Sequence, residues 1–190
     1  KVLITAFRPF GRRKNNTSED ILLYLKKNSD KKQNLRLDFT VLPVNFRSTW
    51  PELRRAITKY SPDALLMLGE KKAKRPCIET KARNARRHKN GTIPIEKNAR
   101  KQLHTRLDAA LLIDALKKGH PKWTISHNAG SYLCNFSYWK VLSQMPDLPC
   151  IFLHVPALSA ENTQQEVASM AAQIETFIGT TQAQLLRPPK

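Results

Sequence analysis

The chain has only three cysteines in 190 residues. Cys77, Cys134 and Cys150 are too few and too scattered for a disulfide framework, and no C-x-x-C pair marks a structural zinc site. Their scarcity suits a reducing, cytoplasmic setting. Long apolar runs are missing too: no stretch approaches the roughly 20 residues that cross a bilayer. The opening KVLITAFRPFGRRK breaks its apolar run at Arg8 and Pro9, too early for a signal peptide. A soluble protein that is not secreted and has no membrane partner is expected. The length allows one sizeable core, so residues 1–190 are read as a single domain.

Acidic residues are also scarce. Fifteen Asp and Glu face 33 Lys and Arg, for a net charge of +18. The imbalance is densest from Lys71 to Arg106, where Glu79 and Glu96 are the only acids. A band of this kind can neutralise phosphates of a nucleic acid or an anionic surface. It lacks the interleaved aromatics of a single-strand stacking platform, and the chain carries no zinc-finger or RNA-binding signature. The band is therefore read as a solvated face, with nucleic-acid binding expected only non-specifically.

What is present is an alternation of short apolar runs with amphipathic segments. KVLITAF reads as a strand. TSEDILLYLKKN reads as a helix with Thr17 or Ser18 at its N-cap, acids in the first turn and lysines in the last. LRLDFTVLPV alternates as a half-buried strand, and STWPELRRAITKY is a helix that tolerates Pro51 in its first turn. DALLML and CIETKARN follow as strands, then a polar irregular stretch around HKNGTIPIEKNA. LDAALLIDALKKG is a helix ended by Gly119. WTISHN is a strand, CNFSYWKVLSQM a helix, PCIFLHVP a buried strand and AENTQQEVASMAAQIETFI a closing helix. The pattern predicts an α/β fold, a three-layer α/β/α sandwich around a largely parallel, twisted central sheet.

Active sites in such sheets gather at the carboxyl ends of strands. His154 ends the strand IFLH, and Cys134 follows TISHN across a short loop to open a helix. Both are expected on one rim of the sheet. A thiol there can be activated by a helix N-terminus and a neighbouring histidine. Glu79 is the candidate to orient His154 through its second ring nitrogen. The residues alone leave two bland readings open: Cys134 as a core side chain, and Glu79 as an ion-pair partner of the basic band.

Several segments carry a resemblance to a known family. TAFRPFG, NNTS, LPV, IETKARN, NAGSYLCN, FLHVPAL and the late ASM resemble, in order over nearly the whole chain, the motifs of the pyroglutamyl peptidase I (pyrrolidone-carboxylate peptidase) family. The resemblance implies a cysteine-type omega peptidase that removes an amino-terminal pyroglutamyl residue without metal or cofactor. Cys134 would be the nucleophile, His154 the general base and then acid, and Glu79 the residue that orients His154. Phe7 and Phe10 match phenylalanines that sandwich the lactam ring, and Leu133 matches an apolar residue beside the nucleophile. A homo-oligomer is implied as well.

The chain departs from the family pattern in places. A glycine-rich G-Q-x-G-G-R is represented by GEKKAKR, which keeps Gly69 but has Glu70 for the glutamine. Arg12 stands where a second glycine follows P-F-G. The counterpart of a site arginine is either Arg86 or Arg87, and Cys77 and Cys150 match no motif and are read as core. The alternative reading is a weak or inactive member of the fold that binds an anionic partner such as nucleic acid.

Overall fold

The protein is described from a computed structural model covering residues 1–28, 35–117, 122–158 and 163–185. In chain order the elements begin with β1 (Val2–Phe7), α1 (Thr17–Asn28), β2 (Leu37–Leu42), α2 (Thr49–Tyr60), β3 (Ala64–Lys71) and β4 (Cys77–Glu79). There follow β5 (Lys81–Arg83), β6 (Arg86–His88), β7 (Gly91–Ile93), β8 (Gln102–His104) and α3 (Ala109–Lys117). The chain continues through β9 (Thr124–Ser126), α4 (Leu133–Gln144), β10 (Cys150–Pro156) and α5 (Thr163–Leu185). No helix among the described residues is long and apolar enough to cross a membrane.

The central sheet has six strands in the order β2-β1-β3-β10-β4-β9. β1, β2, β3 and β10 run parallel, whereas β4 pairs antiparallel with β10 and carries β9 parallel to itself. Helices α1, α3 and α5 supply Ile21, Leu22, Leu112, Ile113, Val167 and Ile174 to one face of the sheet. Helices α2 and α4 supply Leu53, Ile57, Phe136 and Trp139 to the other. The expected α/β/α layering is observed. β1 and β10 are almost wholly buried because helices cover both their faces, which explains their continuous apolar sequences.

Three local readings change. CIETKARN is not one strand: it divides at Thr80, leaving β4 in the main sheet and sending β5 to an antiparallel pair with β8. The polar stretch after it is not irregular, since β6 and β7 form a hairpin that turns at Lys89 and Asn90 and resumes at Gly91, whose φ of 118° an L side chain rarely adopts. Helix α1 is capped by Asn16 rather than Thr17 or Ser18, its Oδ1 accepting the Ser18 N–H at 3.0 Å. Gly119 and the expected start of the last helix at Ala160 lie outside the described residues.

The basic band is likewise more than a solvated face. Arg83 donates to the Gly130 carbonyl, Arg106 to the Pro146 carbonyl, and the Arg86 guanidinium lies 5.5 Å from the centre of the Phe46 ring.

Buried Asn135, in the first turn of α4, holds β5 and the segment after it against the helix. Its Oδ1 accepts the Arg83 N–H, and its Nδ2 donates to the carbonyls of Arg83 and Ala85, each at 2.8 Å. Asn135→Ala leaves these buried backbone groups unpaired and should lower stability by about 2 kcal/mol. Urea unfolding with an unchanged midpoint would show that the three bonds do not tie the layers together.

Candidate active site

Strands β1, β3 and β10 end on one rim, and their register decides what meets there. His154 lies opposite Gly69 of β3 on one side and opposite Cys77 of β4 on the other. Because neighbouring strands are about 4.8 Å apart and side chains alternate in direction, His154, Cys77, Glu79 and Phe152 share a face. Glu79, paired opposite Phe152, reaches diagonally to His154: Nδ1 and Oε1 are 2.7 Å apart. The expected Glu79–His154 partnership is present. It arises differently from expectation, since β4 runs antiparallel and Glu79 is not at the carboxyl end of a parallel strand.

Cys134 also arrives by another route. β9 runs against β10, so it does not lead directly to the rim, and the loop 127–132 turns back over the sheet to place the start of α4 there. Polar contacts hold this loop. The Asn128 N–H donates to Glu79 Oε2 at 3.1 Å, and Lys71 Nζ reaches both Glu79 Oε1 at 3.2 Å and the Asn128 carbonyl at 3.1 Å. Tyr132 is the N-cap residue of α4 and makes no side-chain capping bond, so the first-turn N–H groups stay available.

The cysteine sits directly over Gly69. A Cβ placed on Gly69 would come within 2.9 Å of Cys134 Sγ and 2.7 Å of the Phe152 ring. Sulfur and imidazole are therefore neighbours across a residue that must lack a side chain. Both line a cavity of about 250 Å³ together with Phe7, Phe10, Leu133, Ala129, Tyr132 and Val44. All six site residues expected from the sequence border this cavity except Glu79, which lies behind His154, fully buried. Phe7 is buried, while Phe10 is 41% exposed and packs against Tyr132 with ring centres 6.4 Å apart. Tyr132 went unassigned in the sequence, although its place two residues before Cys134 is a positional hint.

The electrostatics of the buried groups follow from their partners. Burial pushes the Glu79 carboxyl up, but the hydrogen bonds of His154 and Ser126, with the charges of His154 and Lys71, outweigh it and hold Glu79 at about 2. His154 is shifted down, chiefly by burial, against the upward pull of Glu79. Ionised Glu79 thus accepts Nδ1–H from a neutral imidazole, which leaves Nε2 as a free base. Burial pushes the Cys134 thiol up to about 12, with its own N–H pulling down, the Glu79 charge adding to the rise and Lys71 opposing it. The depression expected from a helix N-terminus does not prevail, because desolvation of the thiolate is the larger effect. The pair rests as thiol and neutral imidazole.

Cys77, read as core, is buried but also points its thiol at Glu79 Oε1, 3.5 Å away. With Glu79 and His154 it makes a donor cluster whose ligand atoms lie within 4.8 Å of one another. The cluster suits a hydrogen-bond network better than a metal. Glu79 Oε1 is already engaged by His154, the Lys71 ammonium adds like charge, and the Cys77 thiol is pushed up to about 12, chiefly by burial and next by the Glu79 charge.

The acid of the altered loop after β3 is paired. Glu70 forms an ion pair with Arg13, and its Oε2 accepts the Thr17 N–H at the start of α1 at 2.8 Å. Its carboxylate, with 4% of the side chain exposed, presents no free negative charge to the cavity it borders. Of the two arginine candidates, Arg86 lies over the Phe46 ring, while Arg87 is exposed and its backbone N–H bonds the Ser131 carbonyl. Neither borders the cavity that holds Cys134.

Gly69→Ala would push a methyl group into Cys134 Sγ and the buried Phe152 ring. Overpacking of this kind costs about 1–3 kcal/mol, and here it also displaces the sulfur. We expect a protein that folds with a lowered Tm and loses at least about tenfold in kcat/KM on a pyroglutamyl amide, since small misplacements of reacting groups are costly. Wild-type activity in this variant would show that Cys134 need not sit over β3.

Comparison with known proteins agrees with this geometry. The family model described as pyroglutamyl peptidase matches residues 1–183. The pyrrolidone-carboxylate peptidase of Thermococcus litoralis is 34% identical over 172 residues, covering 82% of this chain and 76% of its own. That of Lactobacillus acidophilus is 27% identical over 176 residues, covering 85% and 86%. Among solved structures, the pyrrolidone carboxyl peptidase of Fervidobacterium islandicum superposes with a TM-score of 0.83 at 23% identity, covering 96% of this chain and 98% of its own. At that identity the superposition establishes the fold, and the sequence matches over nearly the whole chain establish the lineage: this chain belongs to the pyroglutamyl peptidase family.

Proposed function

We propose that the chain is a cysteine peptidase that removes an amino-terminal pyroglutamyl residue from peptides, with Cys134 as nucleophile, His154 as general base and acid, and Glu79 as the positioning residue. The observation that carries this reading is the hydrogen-bonded Glu79–His154 pair beside a cysteine in a largely apolar cavity. A pyroglutamyl group is a neutral lactam, and a neutral ring suits a pocket of Phe7, Phe10 and Leu133 in which the one bordering carboxylate, Glu70, is spent on Arg13. An ammonium terminus would find no free counter-charge there.

The chemistry follows from the resting protonation states. As the scissile carbonyl approaches Cys134, His154 Nε2 takes the thiol proton while the sulfur–carbon bond forms. The resulting imidazolium is held by Glu79, whose depressed carboxyl stays ionised. The oxyanion meets the open N–H groups of the first turn of α4. His154 then gives its proton to the leaving amine, the carbon–nitrogen bond breaks, and water hydrolyses the thioester by the same base. A Glu79–His154 hydrogen bond and a cavity shared by His154 and Cys134 support turnover over the alternative of an inactive binding protein. A reducing, cytoplasmic compartment suits an enzyme that needs its thiol free.

Cys134→Ser should leave the fold intact and abolish cleavage of pyroglutamyl-7-amido-4-methylcoumarin. His154→Ala should also remove activity, and Glu79→Gln should lose less, because it keeps the shape and removes only the charge that steadies the imidazolium. Iodoacetamide should label Cys134 before the more buried Cys77 and Cys150. A serine variant as active as wild type would falsify the thiol mechanism.

The pH profile provides a separate check. The active form carries neutral His154, so kcat/KM should rise with pH as His154 loses its proton. Because burial lowers the His154 pKa from 6.5, the midpoint of that acid limb should lie below 6.5, with the plateau reached at neutral pH. A midpoint above 7 would mean that Glu79 outweighs burial and that the pair rests charged.

A further inference from the structure

A second cavity of about 730 Å³ adjoins the catalytic one. Val44 and Tyr132 border both, so the two lie on either side of the residue that caps the Cys134 helix. Its walls differ from those of the first. Arg47, Arg86 and His88 line it together with Phe46, and no carboxylate is among its lining residues.

The Arg86 guanidinium is held over the Phe46 ring, 5.5 Å from its centre, and Phe46 is braced by edge-on contacts with Tyr132 at 5.5 Å and Phe136 at 5.2 Å. Arg86 has no ion pair among the described residues, so its N–H groups can still be offered to a planar anion. Lys72, exposed on the rim of the catalytic cavity and without an ion pair among the described residues, adds charge of the same sign. An extended peptide advances about 3.3 Å per residue, so a chain leaving Cys134 past Tyr132 enters this cavity within a few residues.

We propose that the second cavity receives the leaving portion of the peptide and selects a carboxylate there, so that the preferred substrates are pyroglutamyl peptides with an acidic side chain or a nearby free C-terminus after the scissile bond. This rests on the peptidase reading above. The Arg47 and Arg86 charges line the second cavity and not the one that holds Cys134, so they change preference among pyroglutamyl peptides rather than the requirement for pyroglutamate.

The test compares kcat/KM for amidated pyroglutamyl tetrapeptides in which Glu replaces Gln at the first, second or third residue after pyroglutamate. A free-acid form of the all-Gln peptide separates a C-terminal carboxylate from a side-chain one. One position at least should favour Glu by about fivefold at low salt, the scale of a partly exposed ion pair. The preference should vanish near 1 M salt, where the screening length falls to about 3 Å. Arg47→Gln and Arg86→Gln should each bring the Glu-to-Gln ratio towards one. Lys27→Gln removes the same charge from α1, on the opposite face of the sheet, and should leave the ratio as it is.

Equal rates for Glu and Gln peptides at every position and no gain for the free acid would overturn the proposal. So would a ratio that falls as much in Lys27→Gln as in the two arginine variants, since that is an effect of net charge. Failure of wild-type protein to cleave pyroglutamyl-7-amido-4-methylcoumarin, which has no peptide on the leaving side, would sink the peptidase reading and this inference with it. Cleavage of that amide without carboxylate preference among peptides would sink this inference alone.

Discussion

An ionised carboxylate with no access to water organises this protein. Glu79 is fully buried, and an isolated charge in such a place costs several kcal/mol unless it is paired and hydrogen-bonded. Five segments supply its partners: His154 from β10, Lys71 from the end of β3, Ser126 from β9, the Asn128 N–H from the loop after β9, and the Cys77 thiol from its own strand. The backbone carbonyl of Glu79 accepts the Tyr138 hydroxyl of α4 at 3.1 Å as well. The demand to satisfy one carboxylate thus brings together the two sheet directions, the loop that leads to Cys134 and the helix that carries it. Site and fold share one network.

That network explains why the free enzyme holds its reacting groups uncharged. Burial acts on thiol and imidazole in opposite directions, up for Cys134 and down for His154, and both shifts favour the neutral forms. In the proposed reaction the proton moves as the sulfur bonds the substrate carbon, and Glu79 is already hydrogen-bonded to Nδ1 of the ring that receives it.

The excess of basic residues is handled unevenly. Beside the proposed lactam pocket two cations are paired, Arg13 with Glu70 and Lys71 with Glu79, while Lys72 on its rim has no ion pair among the described residues. Beyond Tyr132, Arg47 and Arg86 line a cavity with no carboxylate among its lining residues. A chain of net charge +18 therefore neutralises some of its cations by pairing and leaves others open to a partner. Glu70 and Arg13 form such a pair where the family pattern that the sequence resembles has a glutamine.

Much was legible in the sequence, and what was not has a common cause. The long elements followed from apolar periodicity, because burying one face of a helix or both faces of a central strand leaves a pattern that local composition must satisfy. The kinds of groups in the site, a thiol, an imidazole and a carboxylate, were readable from motifs. The direction of β4 was not, since a three-residue strand carries no mark of which way it will pair, and neither was the break of CIETKARN at Thr80. The contact between Glu79 and His154 joins residues 75 positions apart, and the placement of Cys134 over Gly69 depends on a loop that turns back across the sheet. By itself the sequence determined the long elements, the layering and the chemistry available to the site. Only the tertiary structure decided which groups meet, that Lys71 joins them, and that the thiol rests protonated, because charge states in an interior depend on what excludes water from each group and on which partners then replace it.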